Sequence, residues 1–371
     1  MLFGGLAAEK HSLNQISPSP QAGRGQGEGT RGNQVGDWNQ LTNNNQPILQ
    51  VDQLKKHFPV KGSGGWLKGP QHFVHAVDDV SFNLAAGEIL GLVGESGCGK
   101  STLVLTLLGL EEATAGQIVF EGQNVTHLHG SALKSMRRHI QMIFQDPFEA
   151  LNPLLTIGEQ VAEPLLVHGL VASKSERLAR AAQALEDAGL KPAESFLNRR
   201  PHELSGGQRQ RVVIAGALVL EPTVLLADEP VSMLDVSVRA EVLNLLSDLR
   251  QRRGISILFI THDLGTAAYF VDRIAVMYLG RIVEIGQTHE ILANPQHPYT
   301  RSLLSVIPVP NPRQRRQRTI LQGDPPNPIN LPGGCRFHPR CPLAESRCRT
   351  TDPALIPLAN SHAAACVLLE G

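Results

Sequence analysis

ILGLVGESGCGKST, residues 89–102, decides the fold. Its first five residues form an apolar run of the length of a buried strand, and the next eight fit G-x-x-x-x-G-K-[ST]. Glycines in such a loop let backbone N–H groups turn inward around phosphate oxygens, while the positive end of the following helix faces the same anion. The candidate phosphate-binding residues are Gly94, Glu95, Ser96, Gly97, Cys98, Gly99, Lys100, Ser101 and Thr102. Lys100 is placed to reach the β- and γ-phosphates and Ser101 to ligate Mg²⁺. Cys98 falls at a variable loop position and reads as a small filler.

On either side the chain alternates short apolar runs with helix-length amphipathic segments, the pattern of a layered α/β domain. Residues 140–144, 223–227 and 255–261 are further strand candidates. The segment 235–253 puts Val238, Val242, Leu245, Leu246 and Leu249 on one helical face and stops at Gly254. Residues 156–190 hold two consecutive helical patterns with no strand between them. The second opens on Ser173 and Glu176 at capping-box spacing and carries Leu178, Ala181, Ala182, Leu185 and Ala188 on one stripe. Residues 146–204 are therefore expected to be a helical subdomain inserted into the α/β core.

Two more motifs carry chemistry. VLLADE, residues 224–229, is an apolar strand that delivers Asp228 and Glu229 at its carboxyl end, where α/β sheets place ligands. Asp228 suits the Mg²⁺ shell and Glu229 suits polarisation of an attacking water. LSGGQ, residues 204–208, places Ser205 and two glycines directly before a helix-length segment, a second anion-ready turn.

With LSGGQ the sequence resembles the ATP-binding cassette (ABC) ATPases. The order of motifs is complete: the phosphate loop, Gln145 after a strand, LSGGQ, Asp228 with Glu229, the turn SMLD at 232–235, and His262 after a strand. The resemblance covers about residues 48–290. It implies that two cassettes pair head to tail, so that Leu204, Ser205, Gly206, Gly207 and Gln208 would serve the ATP of a partner cassette and hydrolysis would require that partner. It also implies that Gln145 senses Mg²⁺ and water while linking to the helical subdomain, and that His262 contacts the γ-phosphate. The family usually stacks an aromatic residue on adenine. Phe58 is the favoured candidate, with Phe73 and Trp66 as alternatives.

Residues outside the common motifs are similar to the ATP-binding subunits of bacterial dipeptide/oligopeptide importers: QDPFEALNPLLTIGEQ at 145–160, DEPVSMLDVS at 228–237, NPQHPYTRSLL at 294–304 and CRFHPRCPLAESRC at 335–348. Val231 and Met233 depart from the commonest ABC pattern, but neither removes a phosphate or metal ligand. The resemblance implies a subunit on the cytoplasmic face of the cell membrane. Its partners would be a second, homologous cassette, two integral-membrane permeases and an extracytoplasmic solute-binding protein. The competing classes are a soluble ABC ATPase acting on DNA or ribosomes and an export ATPase. Against the first, the chain carries a single cassette and no long heptad array. Against the second stands the importer-like tail.

The ends of the chain read differently. Residues 1–47 are rich in Gly, Gln, Asn, Ser and Pro and are expected to be a disordered lead-in to a cassette over 48–305. Residues 306–371 begin with a Pro- and Arg-rich linker, including Arg313, Arg315, Arg316 and Arg318, and lead into a small module holding Cys335, Cys341, Cys348 and Cys366. Four clustered thiols in a reducing compartment suggest a Cys₄ metal site. The absence of C-x2-C spacing favours a [4Fe–4S] cluster over Zn²⁺, with plain structural thiols as the third reading.

Composition limits the remaining options. Of 371 residues, Lys plus Arg and Asp plus Glu number 34 each, so a formal net charge of zero gives no global pull toward nucleic acid. Charged residues make up 18%, below the usual ~25%, which suits a surface partly covered by other proteins. The longest apolar run, Val212 to Leu220, is far too short to cross a bilayer. Nothing at the N-terminus has the pattern of a secretory signal.

Overall fold

The strand expected at 89–93 forms as Ile89–Val93, with all five residues buried. A computed structural model of the chain describes residues 47–60, 72–307, 321, 323–359 and 361–369. Nearly all of the lead-in, Trp66 and the basic run 313–318 lie outside the described residues. In chain order the strands are β1 (Pro47–Val60), β2 (His72–Ala85), β3 (Ile89–Val93), β4 (Ala115–Phe120), β5 (Gln123–Asn124), β6 (Ile140–Ile143), β7 (Val224–Asp228), β8 (Ser256–Thr261), β9 (Arg273–Tyr278), β10 (Arg281–Gln287), β11 (Ile356–Pro357) and β12 (Ala363–Ala364).

The larger sheet runs β11-β12-β10-β9-β3-β8-β7-β6, with β9, β3, β8, β7 and β6 mutually parallel. Both faces of this parallel part are covered, which explains why its strands read as continuous apolar runs rather than alternating ones. Leu90 and Leu92 of β3 point into one core with Leu49, Val51 and Leu84 of the smaller antiparallel sheet β2-β1-β4-β5. Ile89 and Val93 point into the other, beneath the helices. The parallel strands end along one edge, so Gly94, Gln145, Glu229 and His262, each one or two residues past a strand, arrive at the same place.

Between β6 and β7 lie the helices Ile157–Val167, Lys174–Asp187 and Glu194–Leu197, followed by Gly206–Leu218, so the expected helical insertion is present. Its capping differs from expectation. The Ser173 hydroxyl pairs with that of Ser175 at 2.7 Å and caps nothing, because a second hydroxyl two residues away competes for it. The capping box forms instead one helix earlier, between Thr156 and Glu159. The helix expected at 235–253 is Val236–Arg253, closed by Gly254 at φ 67°, the left-handed conformation that glycine adopts without cost.

The C-terminal segment is built into the cassette instead of standing beside it. β12 pairs with β10, extending the larger sheet, and β11 pairs with β12. Phe337 is 1% exposed and packs on Tyr278 and Tyr299, with ring centroids 5.2 and 5.4 Å apart. Arg336 donates to the Leu279 carbonyl at 2.7 Å and pairs with the Asp78 carboxylate.

Candidate nucleotide site

The loop 94–99 passes so close to neighbouring backbone that no side chain fits at its first or its last residue. A Cβ on Gly94 would stand 2.2 Å from the Met277 carbonyl oxygen; one on Gly99, at φ 110°, would stand 2.0 Å from that of Ala76. The helix Lys100–Leu107 starts from Gly99. The Lys100 ammonium is buried and donates to the carbonyls of Gly94 and Glu95 at 2.7 and 3.0 Å, so it is held over the mouth of the loop. Cys98 is buried, and burial pushes its thiol pKa up, as suits a filler.

A cavity of about 730 Å³ opens over this loop. Residues 95–102 line one wall, Gln145, Glu229 and His262 another, and Phe58, Val74, His75 and Ala76 a third. Of the two aromatic candidates among the described residues, Phe58 is on this lining, whereas Phe73 faces Pro59 across the β1–β2 pair and is not. The Lys56 ammonium lies 4.6 Å from the Phe58 ring centroid.

The polar residues meet at Glu229. Its carboxylate accepts from Gln145 Nε2 at 3.2 Å and lies 3.0 Å from His262 Nδ1. The backbone of Glu229 has φ 46°, an uncommon conformation for a non-glycine residue, and is pinned by its N–H to the Ile260 carbonyl at 3.0 Å. Asp228, the preceding residue, is 5% exposed, and its Oδ1 has no hydrogen-bond partner among the described residues. Burial pushes its carboxyl pKa up, with the neighbouring Ser101 hydroxyl acting in the opposite direction. A buried carboxylate oxygen without a donor, next to a hydroxyl and under a phosphate loop, fits a hard divalent cation such as Mg²⁺.

LSGGQ stands apart from this cavity. Ser205 caps the helix Gly206–Leu218: its hydroxyl accepts from the Gln208 N–H at 3.3 Å, while its own N–H donates to Gln208 Oε1 at 3.0 Å. None of residues 204–208 lines the cavity formed by the same chain's phosphate loop.

Three residues that the motifs did not point to bear directly on the site. The Tyr299 hydroxyl accepts the Glu95 N–H at 3.0 Å, and Arg340 grips the Glu95 carboxylate with two bonds of 2.7 and 3.0 Å. His75 is on the cavity wall. Tyr299 and Arg340 lie inside the segments 294–304 and 335–348, whose similarity to a family pointed at their neighbourhood but not at their contacts.

The tail cysteines converge without forming a cage for a single ion. Cys348 and Cys366 are buried and Cys335 and Cys341 half-buried, and no disulfide joins them. Burial raises the thiol pKa values of Cys335, to about 11, and of Cys341. Among the described residues the one group of three or more metal-ligating side chains whose donor atoms lie within 4.8 Å of one another is His57, His75 and Asp78, not the cysteines. The expected tight Cys₄ arrangement is therefore not formed. The sulfurs of Cys335, Cys341 and Cys348 instead each take backbone N–H groups of their own turn, Cys348 Sγ that of Glu345 at 3.5 Å. Asp78 is already engaged by Arg336 and His57, which hold its carboxyl down at about 2 against the upward push of burial.

Comparisons with known proteins identify the family and the fold. Residues 77–232 match the family model for ABC transporters, and residues 283–348 match that for the oligopeptide/dipeptide transporter C-terminal region. A putative peptide import ATP-binding protein of Brucella ovis is 50% identical over 321 residues, which is 86% of this chain and 98% of that one. The oligopeptide transport ATP-binding protein of Escherichia coli is 45% identical over 319 residues, 85% of this chain and 95% of its own. Among solved structures, a dimeric post-hydrolysis state of the ATP-binding cassette MJ0796 bound to ADP and Pi is similar with TM-score 0.57 and 32% identity, over 65% of this chain and 99% of that chain. The cassette fold is thus shared with an ATPase captured around its products, and similarity to the transport relatives continues through the tail. The chain belongs to the ATP-binding subunits of the oligopeptide/dipeptide ABC transporter family.

Proposed function

We propose that this chain binds and hydrolyses ATP to drive uptake of di- or oligopeptides or related small solutes across the cell membrane. The observation that carries the reading is the Glu229 carboxylate, held between Gln145 and His262 at the rim of the cavity over the phosphate loop. In this reading Gly94 to Thr102 cradle the phosphates, Lys100 leaves its carbonyl partners for the β- and γ-phosphates, and Phe58 stacks on adenine. Ser101, Asp228 and Gln145 hold Mg²⁺, which when bound neutralises charge on the phosphates. Glu229 polarises the attacking water, and His262 orients it and contacts the γ-phosphate.

Leu204 to Gln208 act on the nucleotide of a second cassette. That partner is a homologous chain, and two permeases and an extracytoplasmic solute-binding protein complete the importer. No helix among the described residues is long and apolar enough to cross a membrane, so attachment to the membrane falls to the permeases. The exposed Phe144, Phe148 and Leu154, at and beyond the Gln145 segment, offer the helical subdomain's contact with them. We take 48–305 as the cassette and 306–371 as the C-terminal region. Glu229→Gln keeps the shape and loses the charge, so ATP binding is retained while turnover falls about 10²- to 10⁴-fold. Normal hydrolysis in that variant would overturn the assignment.

For the tail we propose a [4Fe–4S] cluster on Cys335, Cys341, Cys348 and Cys366 in preference to Zn²⁺. A single ion at Zn–S of about 2.3 Å needs its four sulfurs closer together than these stand, whereas a cluster spreads its ligands over several metals. Backbone N–H groups near the sulfurs of Cys335 and Cys341 suit cluster ligands. Chain purified without oxygen that holds no iron or acid-labile sulfide would rule the cluster out.

A further inference from the structure

The second residue of the phosphate loop is an acid, and a carboxylate beside a polyphosphate site is an electrostatic cost unless something neutralises it. In this chain the neutralising group comes from the C-terminal segment. Arg340 closes a short helical turn, His338–Arg340, between Cys335 and Cys341, and its guanidinium forks onto both Glu95 oxygens at 2.7 and 3.0 Å. The guanidinium side chain is 7% exposed, and the carboxylate beside it raises its pKa further. A part-buried, two-bond Arg–carboxylate pair fixes direction as well as charge. Its support is continuous: Phe337 wedges the turn against Tyr278 and Tyr299, and the Tyr299 hydroxyl takes the Glu95 N–H. The same segment reaches the cavity itself, since Pro328 lies on its lining and accepts the His75 N–H at 3.0 Å.

We propose that Arg340 is a positioning residue of the nucleotide site: it holds the Glu95 carboxylate turned out of the phosphate loop and so sets nucleotide affinity from the tail. Neither cassette motif nor cysteine cluster supplies this function. The tail completes the nucleotide site of its own chain. The proposal rests on the reading of the cavity as an ATP site, and the two fail differently.

The test is equilibrium binding of a fluorescent mant-ADP with Mg²⁺ to the full chain, alongside thermal unfolding without nucleotide. If the wild-type chain does not bind mant-ADP, the ATP reading itself is lost. Given binding, Arg340→Ala is expected to weaken it about tenfold, a normal size for coupling between sites, and Arg340→Lys by less, because charge remains while the fork is lost. In a Glu95→Gln background the Arg340→Ala effect should disappear, since no carboxylate is left to restrain. Asp352→Asn weakens a different tail contact, the ion pair with Arg281 at 2.6 Å, which does not involve Glu95, and should leave affinity unchanged within twofold. An Arg340→Ala effect that persists undiminished with Glu95→Gln, or an equal loss with Asp352→Asn, would overturn the proposal by reducing it to tail docking. Should Arg340→Ala fail to fold, Arg340→Lys in both backgrounds carries the same comparison.

Discussion

Asp228 shows a residue whose chemistry works against the fold that carries it. Its carboxylate is buried, one oxygen has no donor among the described residues, and burial raises its pKa, so at neutral pH its charge costs stability. Asp228→Asn removes that charge beside the Ser101 hydroxyl. Without nucleotide, the variant should gain on the order of 1 kcal/mol, or a few degrees in melting temperature. Mg²⁺-dependent turnover should fall about 100-fold or more. A calorimetric scan with an ATPase assay checks both, and a variant that is less stable yet fully active would contradict the metal-ligand role. Asp228, Glu229, Lys100 and Ser101 were legible in the sequence because each belongs to a short motif, the acids at a strand end and Lys100 and Ser101 at the start of a helix. Arg340 and Tyr299 were not. Their partner Glu95 lies 245 and 204 residues away, and no local period or spacing encodes a contact of that separation.

At the scale of elements, legibility followed periodicity. The helix Val236–Arg253 was readable because Val242, Leu246 and Leu249 recur at helical spacing and Gly254 stops it, and β3, β7 and β8 because all their residues are buried. β11 and β12, two residues each, carry no period, so the welding of the tail to β10 left no trace in the pattern. The Ser173 cap failed for a related reason: spacing marks a possible donor and acceptor but not a competing hydroxyl next door. Ser205 is the reverse case, since its cap forms and it is also assigned to a partner's nucleotide. The two roles separate by substitution. Aspartate caps as well as serine, so Ser205→Asp should keep stability within about 0.5 kcal/mol, where Ser205→Ala loses about 1 kcal/mol. The added charge would face the partner's γ-phosphate, so in the Glu229→Gln background Ser205→Asp should abolish the ATP-dependent closed dimer seen by size exclusion. A dimer of unchanged stability would remove the assignment across the interface.

Across the whole molecule, acid should loosen the phosphate loop from behind. His297 is 1% exposed and caps the helix Pro298–Ser305 by accepting the Tyr299 N–H at Nδ1, 3.1 Å, so its ring must be neutral there. Burial holds its pKa down at about 4, against the opposing influence of Glu284. The unfolded chain takes up this proton near pH 6.5, the folded protein only near 4. Stability is therefore complete above about 6.5 and is lost as pH falls toward 4, by about 3 kcal/mol at the lower limit. Asp78, held at about 2 by Arg336 and His57, adds a separate loss at lower pH, as it protonates between its ordinary 3.8 and 2. The two windows barely overlap, so they can be assigned individually. His297→Asn keeps a capping oxygen for the Tyr299 N–H and cannot titrate, so it should remove the His297 share of the fall in the urea stability profile between pH 6.5 and 4, leaving the share of His75 and His168, whose pKa values burial also lowers, and the fall below pH 4 in place. Because Tyr299 also holds Glu95, mant-ADP affinity of the wild-type chain should weaken through the upper window and that of His297→Asn should not. A variant that follows the wild-type profile through both windows would show that His297 is not the group coupling acid to the loop.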